Sequence, residues 1–368
     1  MPKESIEVLK TPSGRRIELR LDGQAASWAD LPYYRMRLGR ATLTVGGVAG
    51  VGTRPEHRMK GYSRRVLKRS MEVMTEDGLD VSMLFGIPGY YHRFGYRSAL
   101  SDYTVALSGR MLLGETLRLK ARRLPPREHA TVLPLYRRTM ADLPVAFERS
   151  RRWERFRHGS VYYVKPHVVG FYAGKRLVGY MVLDDVPDTV RVSELATAAP
   201  EHLPSLLAYV GRQCRRKVVE SAQFYLPPGH PASVAAAERG ATFTRHTCDN
   251  RGGMMRVLNL EGMLRALQPE LAARWSASAL GAANALELTL QTDIGAATVS
   301  LSAAKPSRPT LHGRLRIPQD RLMQLAVGHV GARAIAQWPQ IHVPARLAAP
   351  LAVLLPERPV FILRTDQF

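Results

Sequence analysis

The residues best suited to chemistry form a basic turn in front of a predicted helix. The turn reads Arg58-Met59-Lys60-Gly61-Tyr62-Ser63. A helix that begins here presents unpaired N–H groups and a partial positive charge, and both attract an anion. Arg58 and Lys60 add full charges, and Gly61 lets a ligand approach the backbone closely because it has no Cβ. The turn therefore predicts a binding site for a pyrophosphate.

Two common phosphate-binding signatures do not fit this turn. A dinucleotide site needs G-x-G-x-x-G between a strand and a helix, with an acidic residue further on. A nucleoside-triphosphate loop needs G-x-x-x-x-G-K-[ST]. The glycines of residues 44–63 match neither pattern, so we expect a ligand of another class.

The elements around the turn are predicted from composition and periodicity. The Gly- and Val-rich run from Val45 to Thr53 has the composition of a strand, and a helix is predicted over Tyr62 to Thr75. The apolar residues of this helix recur at helical spacing, and Asp77-Gly78 follows as a stop signal. A second strand, Val81 to Ile87, and an aromatic segment, Tyr90 to Tyr96, come next.

Two sequence motifs in this stretch resemble those of a known family. The turn resembles [RQ]-x-x-G-x-[GA], the acyl-CoA signature of the GNAT superfamily of N-acetyltransferases, with Ser63 in place of the usual Gly or Ala. The segment Tyr90 to Tyr96 resembles the F-Y-x-x-x-G-[FY] motif that follows the fifth strand in that family. Either motif alone is weak, since basic helix starts and core tyrosines are common. In this order, one helix and one strand apart, they favour an acetyltransferase.

The resemblance implies acetyl-CoA as the co-substrate and assigns residues to it. The pyrophosphate would bind the backbone amides of Arg58, Met59, Lys60, Gly61, Tyr62 and Ser63. The pantetheine would pair with a splayed fourth strand at Val51, Gly52 and Thr53, and Tyr91 would protonate the departing thiolate. Amides near Val51 would polarise the thioester carbonyl. This chemistry needs no metal ion and no covalent enzyme intermediate, because the amine and acetyl-CoA react in one complex.

Length and composition bound the architecture. A chain of 368 residues, 45% of them hydrophobic, is expected to hold two or three domains with sizeable cores. The two cysteines, Cys214 and Cys248, form no C-x-x-C pair, so neither a disulfide framework nor a zinc site is expected. The N-terminus lacks the apolar core of a secretory signal, and no apolar run of about 18 residues exists to span a membrane. We therefore expect a cytoplasmic protein without a membrane partner.

The formal net charge of +22 can be explained in three ways. It fits nucleic-acid binding, attraction of anionic substrates and CoA, or a solvated arginine-rich surface. The basic residues are spread along the chain without the aromatic interleaving of an RNA-binding sheet. This distribution weighs against a nucleic-acid partner.

The predicted fold class is α+β, with tandem GNAT-like αβ domains whose mixed, mostly antiparallel sheets carry flanking helices. Residues 1–122 form the domain with the acyl-CoA site. Residues 123–259 form a degenerate copy, because no R-x-x-G-x-[GA] lies directly before its helix at Leu203. The strand Gly252 to Val257 is expected to close this copy. Residues 260–368 resemble a sterol-carrier-protein-type α+β domain.

Two further segments bear on the helices expected in the chain. A complete acetyltransferase carries one or two helices between its first strands, and only a short piece near Ala25 to Leu31 has room for one here. That region usually covers the acceptor pocket, so its shortness leaves the acceptor unspecified. Helical spacing also predicts a helix over Arg151 to His158.

The order of the three segments resembles the enhanced-intracellular-survival family of acetyltransferases. Besides the two motifs, the resemblance rests on the closing segments Leu355 to Pro359 and Asp366 to Phe368. In that family the terminal carboxylate of the chain enters the active site as the general base. Phe368 is the matching residue.

A base from elsewhere in the chain is also expected on chemical grounds. An amine must lose a proton before it attacks a thioester. Residues 48–53 contain no Glu, Asp or His, and the nearest other candidates are His57 and His92. The alternative for Phe368 is that it only packs its ring while its carboxylate is solvated.

The sequence thus predicts an acetyl-CoA-dependent N-acetyltransferase that acts on an amine of unknown identity. A non-catalytic acyl-CoA-binding or lipid-binding protein is the alternative. Polycationic antibiotics, which members of the family acetylate, need an acidic pocket and are not favoured by the net charge of +22. Whether the chain forms a homo-oligomer stays open.

Overall fold

The structure is a computed structural model that describes residues 3–112, 114–150, 166–247, 252–303, 305, 307–335 and 337–368. The helix predicted over Arg151 to His158 and the second cysteine, Cys248, lie outside these residues. None of the helices in the described ranges combines the length and the apolarity needed to cross a membrane.

Strands and helices are mixed along the whole described chain, which confirms the predicted α+β class. The strands are β1 (Glu4–Thr11), β2 (Gly14–Leu21), β3 (Gln24–Leu38), β4 (Ala41–Gly47), β5 (Ala49–Thr53), β6 (Val81–Gly86), β7 (Arg97–Ser98), β8 (Asp102–Ser108), β9 (Lys120–Leu124), β10 (Val145–Phe147), β11 (Pro166–Ala173), β12 (Arg176–Asp184), β13 (Val190–Thr197), β14 (Ser221–Phe224), β15 (Thr242–His246), β16 (Gly252–Val257), β17 (Leu286–Thr292), β18 (Gly295–Leu301) and β19 (Leu311–Arg316). The helices are α1 (Tyr62–Glu76), α2 (Leu133–Ala141), α3 (Leu203–Lys217), α4 (Pro231–Ala237), α5 (Leu260–Ser276), α6 (Ala279–Ala283), α7 (Gln319–Val327), α8 (Ala332–Ile335) and α9 (Ala345–Leu354).

The chain packs into two compact units, and neither is continuous in sequence. Unit 1 comprises the described parts of residues 1–100 and 248–360 together with Phe368. Unit 2 comprises the described parts of residues 101–247 and 361–367. The three predicted segments follow sequence motifs rather than packing, and their boundaries stay a prediction.

The main sheet of unit 1 has the strand order β1-β2-β3-β4-β6-β16-β7, and β5 pairs with β3. Strands β4 and β6 are parallel, and the other pairs are antiparallel. Helix α1 packs on β2 and β3, where Val66 and Leu67 share one hydrophobic cluster with Ile17 and Leu31. Strand residues alternate between faces, so this contact fixes which residues of β2 and β3 point toward α1.

Two sequence-based assignments are corrected by this sheet. Strand β16, which was expected to close the second domain, lies between β6 and β7 of unit 1. Its Met254 and Met255 point to opposite faces and are both fully buried, as suits a central strand. The segment Ala25 to Leu31, considered for a short helix, is part of β3. Its buried Ala29 and Leu31 alternate with more exposed neighbours, which is a strand pattern.

In the C-terminal segment of unit 1, side chains of α7 form hydrogen bonds with the backbone of β7, of β16 and of the residues just before β7. Gln319, at the start of α7, donates a hydrogen bond to Gly95 O at 2.7 Å and accepts one from Val257 N at 2.8 Å. Gln324 donates to Ser98 O at 2.7 Å. A separate sheet, β18-β17-β19, lies in the same segment. Helix α7 therefore holds the backbone just before β7, at the end of β7 and at the end of β16.

Unit 2 contains one sheet with the order β15-β8-β14-β13-β12-β11-β9, in which β13 and β14 are parallel. Phe171, Tyr180 and Phe224 are fully buried in its core. Strand β8 lies between β14 and β15, so residues 102–108 pair with strands that follow more than 100 residues later. Cys214, on α3, is buried with a free thiol.

A buried ion cluster holds the last segment of unit 2. The guanidinium of Arg149 donates to both carboxylate oxygens of Glu194 at 2.7 Å and to those of Asp366 at 2.9 Å. Burial alone would raise the pKa of Glu194, but the charge and hydrogen bonds of Arg149 lower it below its ordinary value. The two buried carboxylates thus share one buried guanidinium, and removal of Arg149 would leave both without their cation.

Candidate active site

Strands β4 and β6 separate at Gly47, and a cleft opens there. Gly47 pairs with Met83, and Val48 N donates to Met83 O at 2.9 Å. Beyond this point, the described pairings of β5 are with β3 alone. The edges of β5 and of the end of β6 are therefore free to accept an extended ligand between them.

A bulge in β5 lies beside this cleft. Trp28 of β3 faces Gly52, whereas Asp30 faces Ala49, so β5 carries one residue more than β3 over this interval. The extra residue falls at Gly50 and Val51, and the φ of +54° at Gly50 suits glycine. A bulge of this kind leaves a backbone group out of the ladder and re-aims it.

The predicted pantetheine-binding residues, Val51, Gly52 and Thr53, form the end of β5. Ser27 Oγ donates to Gly52 O at 2.9 Å and lies 2.9 Å from Thr53 Oγ1, which fixes this end of the strand. A Cβ placed on Gly52 would lie 2.6 Å from Cε2 of Trp28, so only glycine fits under the indole ring.

The predicted pyrophosphate-binding turn leads directly into α1. A 3-10 turn, Pro55–His57, comes first, and then Met59 and Gly61 take positive φ values of +62° and +78°. In the described chain, no side chain caps the start of α1. In the first turn of α1, Arg65 N donates a hydrogen bond to Gly61 O at 3.2 Å, so the amides before Arg65 point out of the helix end.

The surroundings of this helix start are open and basic. Among the described residues, no atom lies within 4 Å of a Cβ placed on Gly61. Arg58, Lys60 and Arg64 are exposed, and Met59 is fully exposed. The partial positive charge of the helix start and the full charges of these side chains both attract an anion, so the geometry suits a polyanion.

The aromatic segment returns to the end of β6. A short 3-10 helix, Tyr91–Phe94, ends at Gly95, whose φ is +75°. A Cβ placed on Gly86, the last residue of β6, would lie 2.7 Å from Cδ2 of Tyr91. The ring of Tyr91 therefore lies against the strand end that borders the cleft. Burial, and then the neighbouring Tyr90, raise the pKa of Tyr91 above its ordinary value, so the phenol carries its proton at neutral pH.

Tyr96 anchors this segment rather than facing the cleft. Its hydroxyl lies 2.6 Å from Ser82 Oγ, and Ser82 Oγ in turn donates to Gly46 O at 2.7 Å. Tyr96 is buried, and desolvation raises its pKa to about 12. Arg256 adds a hydrogen bond to the carbonyl oxygen of Phe94. The bonds of Tyr96 and Ser82 thus connect the aromatic segment to the parallel strands β6 and β4.

The terminal residue, Phe368, lies at the point where β4 ends. A Cβ placed on Gly47 would lie 2.6 Å from Cε2 of Phe368. The Phe368 ring stacks on Tyr34 with centroids 5.0 Å apart and meets Phe85 edge-on at 5.4 Å. Tyr91 lies against the end of β6 and Phe368 against the end of β4, and these strands are parallel neighbours. The structure thus brings both predicted catalytic residues to one edge of the sheet.

The two histidines considered as bases have different surroundings. His92 is exposed on the aromatic segment. His57 meets Tyr62 edge-on, with ring centroids 6.1 Å apart, and its Nδ1 is buried without a hydrogen-bond partner in the described chain. His57 therefore belongs to the turn before α1 rather than to the bulge of β5.

Two residues beside the bulge were not singled out from the sequence. Trp28 covers Gly52, and Oδ2 of Asp30 lies 2.8 Å from a Cβ placed on Gly50. Both are on β3, in the segment that was considered for a short helix. Ala29 and Leu31 alternate with Trp28 and Asp30, and this alternation could have identified the segment as a strand.

The first part of the chain matches a known family model. Residues 10–99 match the model described as an acetyltransferase (GNAT) domain. The chain therefore contains a GNAT acetyltransferase domain, and GNAT domains use acetyl-CoA as co-substrate. The match confirms the predicted enzyme class, an acetyl-CoA-dependent N-acetyltransferase. None of the curated proteins matches the chain.

Solved structures share the fold over nearly the whole chain. A GCN5-related N-acetyltransferase from Anabaena variabilis is similar with a TM-score of 0.74 and 14% identity, over 96% of this chain and 89% of that chain. One from Kribbella flavida gives a TM-score of 0.69 and 17% identity, over 96% and 87%. Eis1 from Mycobacterium abscessus gives a TM-score of 0.66 and 16% identity, over 98% and 92%. At these identities the likeness establishes a GNAT-like fold and leaves the acceptor open.

Proposed function

We propose that the protein transfers the acetyl group of acetyl-CoA to an amine bound beside β5, with both substrates present in one complex. The observation that carries the proposal is the divergence of β5 from β6 after Gly47. The open start of α1 follows the end of β5, and Tyr91 lies against the end of β6, so both border the cleft between the diverging strands. An extended thioester cofactor requires this combination.

In the proposed complex, the diphosphate of CoA binds the start of α1. The outward-pointing amides of Tyr62 and Ser63 supply hydrogen bonds, and the exposed Arg58 and Lys60 supply charge. The pantetheine then pairs with Val51 to Thr53 along the free edge of β5. The open space beside Gly61 supports this path.

In the proposed reaction, the amine nitrogen attacks the carbonyl carbon of the thioester, and the carbon–sulfur bond breaks. Backbone amides at the bulge near Val51 stabilise the negative charge that develops on the carbonyl oxygen. Tyr91 gives its proton to the departing sulfur, and the terminal carboxylate of Phe368 takes the proton that the amine loses. The raised pKa of Tyr91 supports its role as the acid.

We also propose that the predicted second segment, residues 123–259, contains a degenerate acetyltransferase copy, to which strand β16 does not belong. In unit 2, a 3-10 turn Pro200–His202 precedes α3, as the turn Pro55–His57 precedes α1, and both turns read Pro-Glu-His. Helix α3 begins directly at Leu203, so the copy has no counterpart of residues 58–61. Ser205 in its first turn is bonded to the chain's own backbone, at Arg118 N and 3.1 Å. The described residues of this turn and helix start therefore offer no counterpart of the proposed diphosphate site.

The order of an active copy, a degenerate copy and a sterol-carrier-type segment over residues 260–368 is proposed on the sequence resemblance. The fold likeness to Eis1 from Mycobacterium abscessus supports a relationship to the enhanced-intracellular-survival family. The separate sheet β18-β17-β19 with α5 and α7 gives the third segment an α+β composition of its own.

Two measurements with the full chain test the proposed function. Isothermal titration with acetyl-CoA tests binding, and release of free thiol with a panel of amines tests transfer. Binding should raise the unfolding free energy by about 2.7 kcal/mol at a hundredfold excess of ligand over Kd. Absence of binding would reject the site. Binding without thiol release for any amine would instead indicate a non-catalytic acyl-CoA-binding protein.

A further inference from the structure

One face of the unit 1 sheet carries a row of paired charges. Arg20 contacts Glu7 at 3.1 Å and Glu18 at 2.8 Å. Arg16 contacts Glu18 at 2.7 Å and Asp30 at 2.7 Å. Three carboxylates and two guanidiniums make up the row, so it has one excess negative charge in a chain with a net charge of +22.

This row lies on the side of the sheet that faces away from α1. Ile17 and Leu31 share the hydrophobic cluster of α1, and Asp77 at the end of α1 binds Arg15 at 2.9 Å. Odd-numbered residues of β2 therefore face the helix, and Arg16 and Glu18 face the other way. A substrate that approaches on this second face would not meet α1.

Asp30 is the member of the row that lies next to the bulge of β5. Its Oδ1 accepts the hydrogen bond from Arg16 Nη1 at 2.7 Å. Its Oδ2 lies 2.8 Å from a Cβ placed on Gly50 and has no hydrogen-bond donor among the described residues. The side chain is 43% exposed. One carboxylate oxygen is thus available beside the backbone that would hold the thioester carbonyl.

Phe368 lies on the same face of β3 as Asp30. Asp30, Pro32 and Tyr34 alternate along the strand and so share a face. Phe368 stacks on Tyr34 at 5.0 Å, and a Cβ placed on Gly47 would lie 3.0 Å from Cγ of Pro32 as well as 2.6 Å from Phe368. Asp30 and Pro32 are about 7 Å apart at a strand rise of roughly 3.3 Å per residue. Asp30 therefore lies two residues along β3 from Pro32, on the face of the strand that the Phe368 ring covers.

We infer that Asp30 binds the ammonium group of the acceptor, so that the substrates are primary amines that are protonated in solution. The inference rests on the proposed function, because it assigns the acceptor side of the same site. The ammonium releases one proton to solvent before the attack, since only the free amine is a nucleophile. Asp30 acts by direct contact with the acceptor, and the partly buried indole of Trp28 beside Gly52 borders the same space.

The test compares a cationic with a neutral acceptor. 2-Phenylethylamine is an ammonium ion at neutral pH, whereas aniline is uncharged there. In Asp30→Asn, the KM for 2-phenylethylamine should rise roughly tenfold to a hundredfold, because a charge-assisted contact is lost. The KM for acetyl-CoA and the kinetics with aniline should stay unchanged. Asp30→Glu, which keeps the charge, should restore part of the affinity for 2-phenylethylamine.

Glu7→Gln is the matched control. Glu7 is 42% exposed, close to the 43% of Asp30, and pairs with an arginine of the same row, but it lies on β1 away from the bulge. It should leave both acceptors unaffected. A merely structural role for Asp30 would lower the melting temperature and impair both acceptors equally, and that result would overturn the inference.

The outcomes separate the inference from the proposed function. Loss of acetyl-CoA binding in the unmodified protein would remove the proposed function itself. If acetyl-CoA binds but the protein neither acetylates 2-phenylethylamine nor binds it in a titration of the CoA complex, only the assignment of Asp30 is overturned. Equal kinetics of Asp30→Asn and the unmodified protein with 2-phenylethylamine would overturn it in the same way.

Discussion

The hydroxyl oxygens of Ser63 and Tyr90 lie 2.8 Å apart and connect the start of α1 to the segment that carries Tyr91. Ser63 stands where the GNAT signature usually has Gly or Ala, neither of which has a side chain that can make this bond. The ring of Tyr90 meets Tyr91 edge-on at 5.0 Å. The substitution in the motif thus links the proposed diphosphate site to the proposed acid.

Removal of the hydrogen bond between Ser63 and Tyr90 should lower the unfolding free energy slightly, and either single variant should remove the same bond. Ser63→Ala and Tyr90→Phe each delete one hydroxyl, and each should lower the unfolding free energy by about 0.5–1.5 kcal/mol. The double variant should cost clearly less than the two single losses together, because the same bond is removed in each case. Urea unfolding of the three variants measures this. Strict additivity would mean that the two hydroxyls do not interact in solution.

Tyr91→Phe should lower kcat by a factor of about 10²–10⁴, the usual contribution of a positioned general acid. The Kd of acetyl-CoA should change little, because the phenol acts on the sulfur only as the thiolate departs. Thiol release and isothermal titration separate the two effects. Tyr90→Phe, a neighbouring tyrosine that loses the same atom, is the control and should keep most of the activity.

The pH dependence gives a second measure of Tyr91. Burial, and then Tyr90, raise the pKa of Tyr91 above the ordinary 10.0 of a phenol. A raised pKa keeps the proton on the acid, so any fall in kcat caused by loss of this proton should begin only above pH 10. A profile of kcat against pH in the unmodified protein checks the direction. An activity loss near neutral pH that disappears in Tyr91→Phe would contradict it.

Much of the site could be read from local sequence. The predicted helix over Tyr62 to Thr75 is found as Tyr62–Glu76, and the strand predicted over Val81 to Ile87 as Val81–Gly86. Periodicity and the stop signal at Asp77-Gly78 are local properties, and they determine these elements directly.

The remaining features depend on contacts between residues far apart in the chain. Strand β16 lies between β6 and β7 of unit 1 because its two buried methionines fill a central position, and its composition alone does not identify the partner strands. Asp30 became visible as a site residue only when the register placed it opposite the bulge of β5. A 15-residue strand such as β3, with a register shift of its own, is hard to recognise from alternation.

Gly47→Ala should disturb the terminal residue while leaving the cofactor site intact. The added methyl group would lie 2.6 Å and 2.8 Å from two atoms of the Phe368 ring, so the ring must move. If the terminal carboxylate is the base, kcat should fall at least tenfold with an unchanged Kd for acetyl-CoA. Addition of one residue after Phe368 should have the same effect, because it moves the carboxylate without touching Gly47. Full activity of both variants would exclude the carboxylate as the base.

The two ends of α1 offer a matched pair of glycines that tests the diphosphate site. Gly61 has a φ of +78° and Gly78 a φ of +75°, and among the described residues no atom lies within 4 Å of a Cβ placed on either. Gly61→Ala and Gly78→Ala should therefore lower the unfolding free energy by a similar amount, about 1–2 kcal/mol, because each forces alanine into the left-handed region. Only Gly61→Ala should also raise the Kd of acetyl-CoA, by roughly tenfold or more. Its methyl group would occupy the space through which the diphosphate approaches the amides. Titration of both variants with acetyl-CoA, alongside their melting temperatures, measures the difference. Equal affinities in the two variants would show that the cofactor does not approach α1 at Gly61.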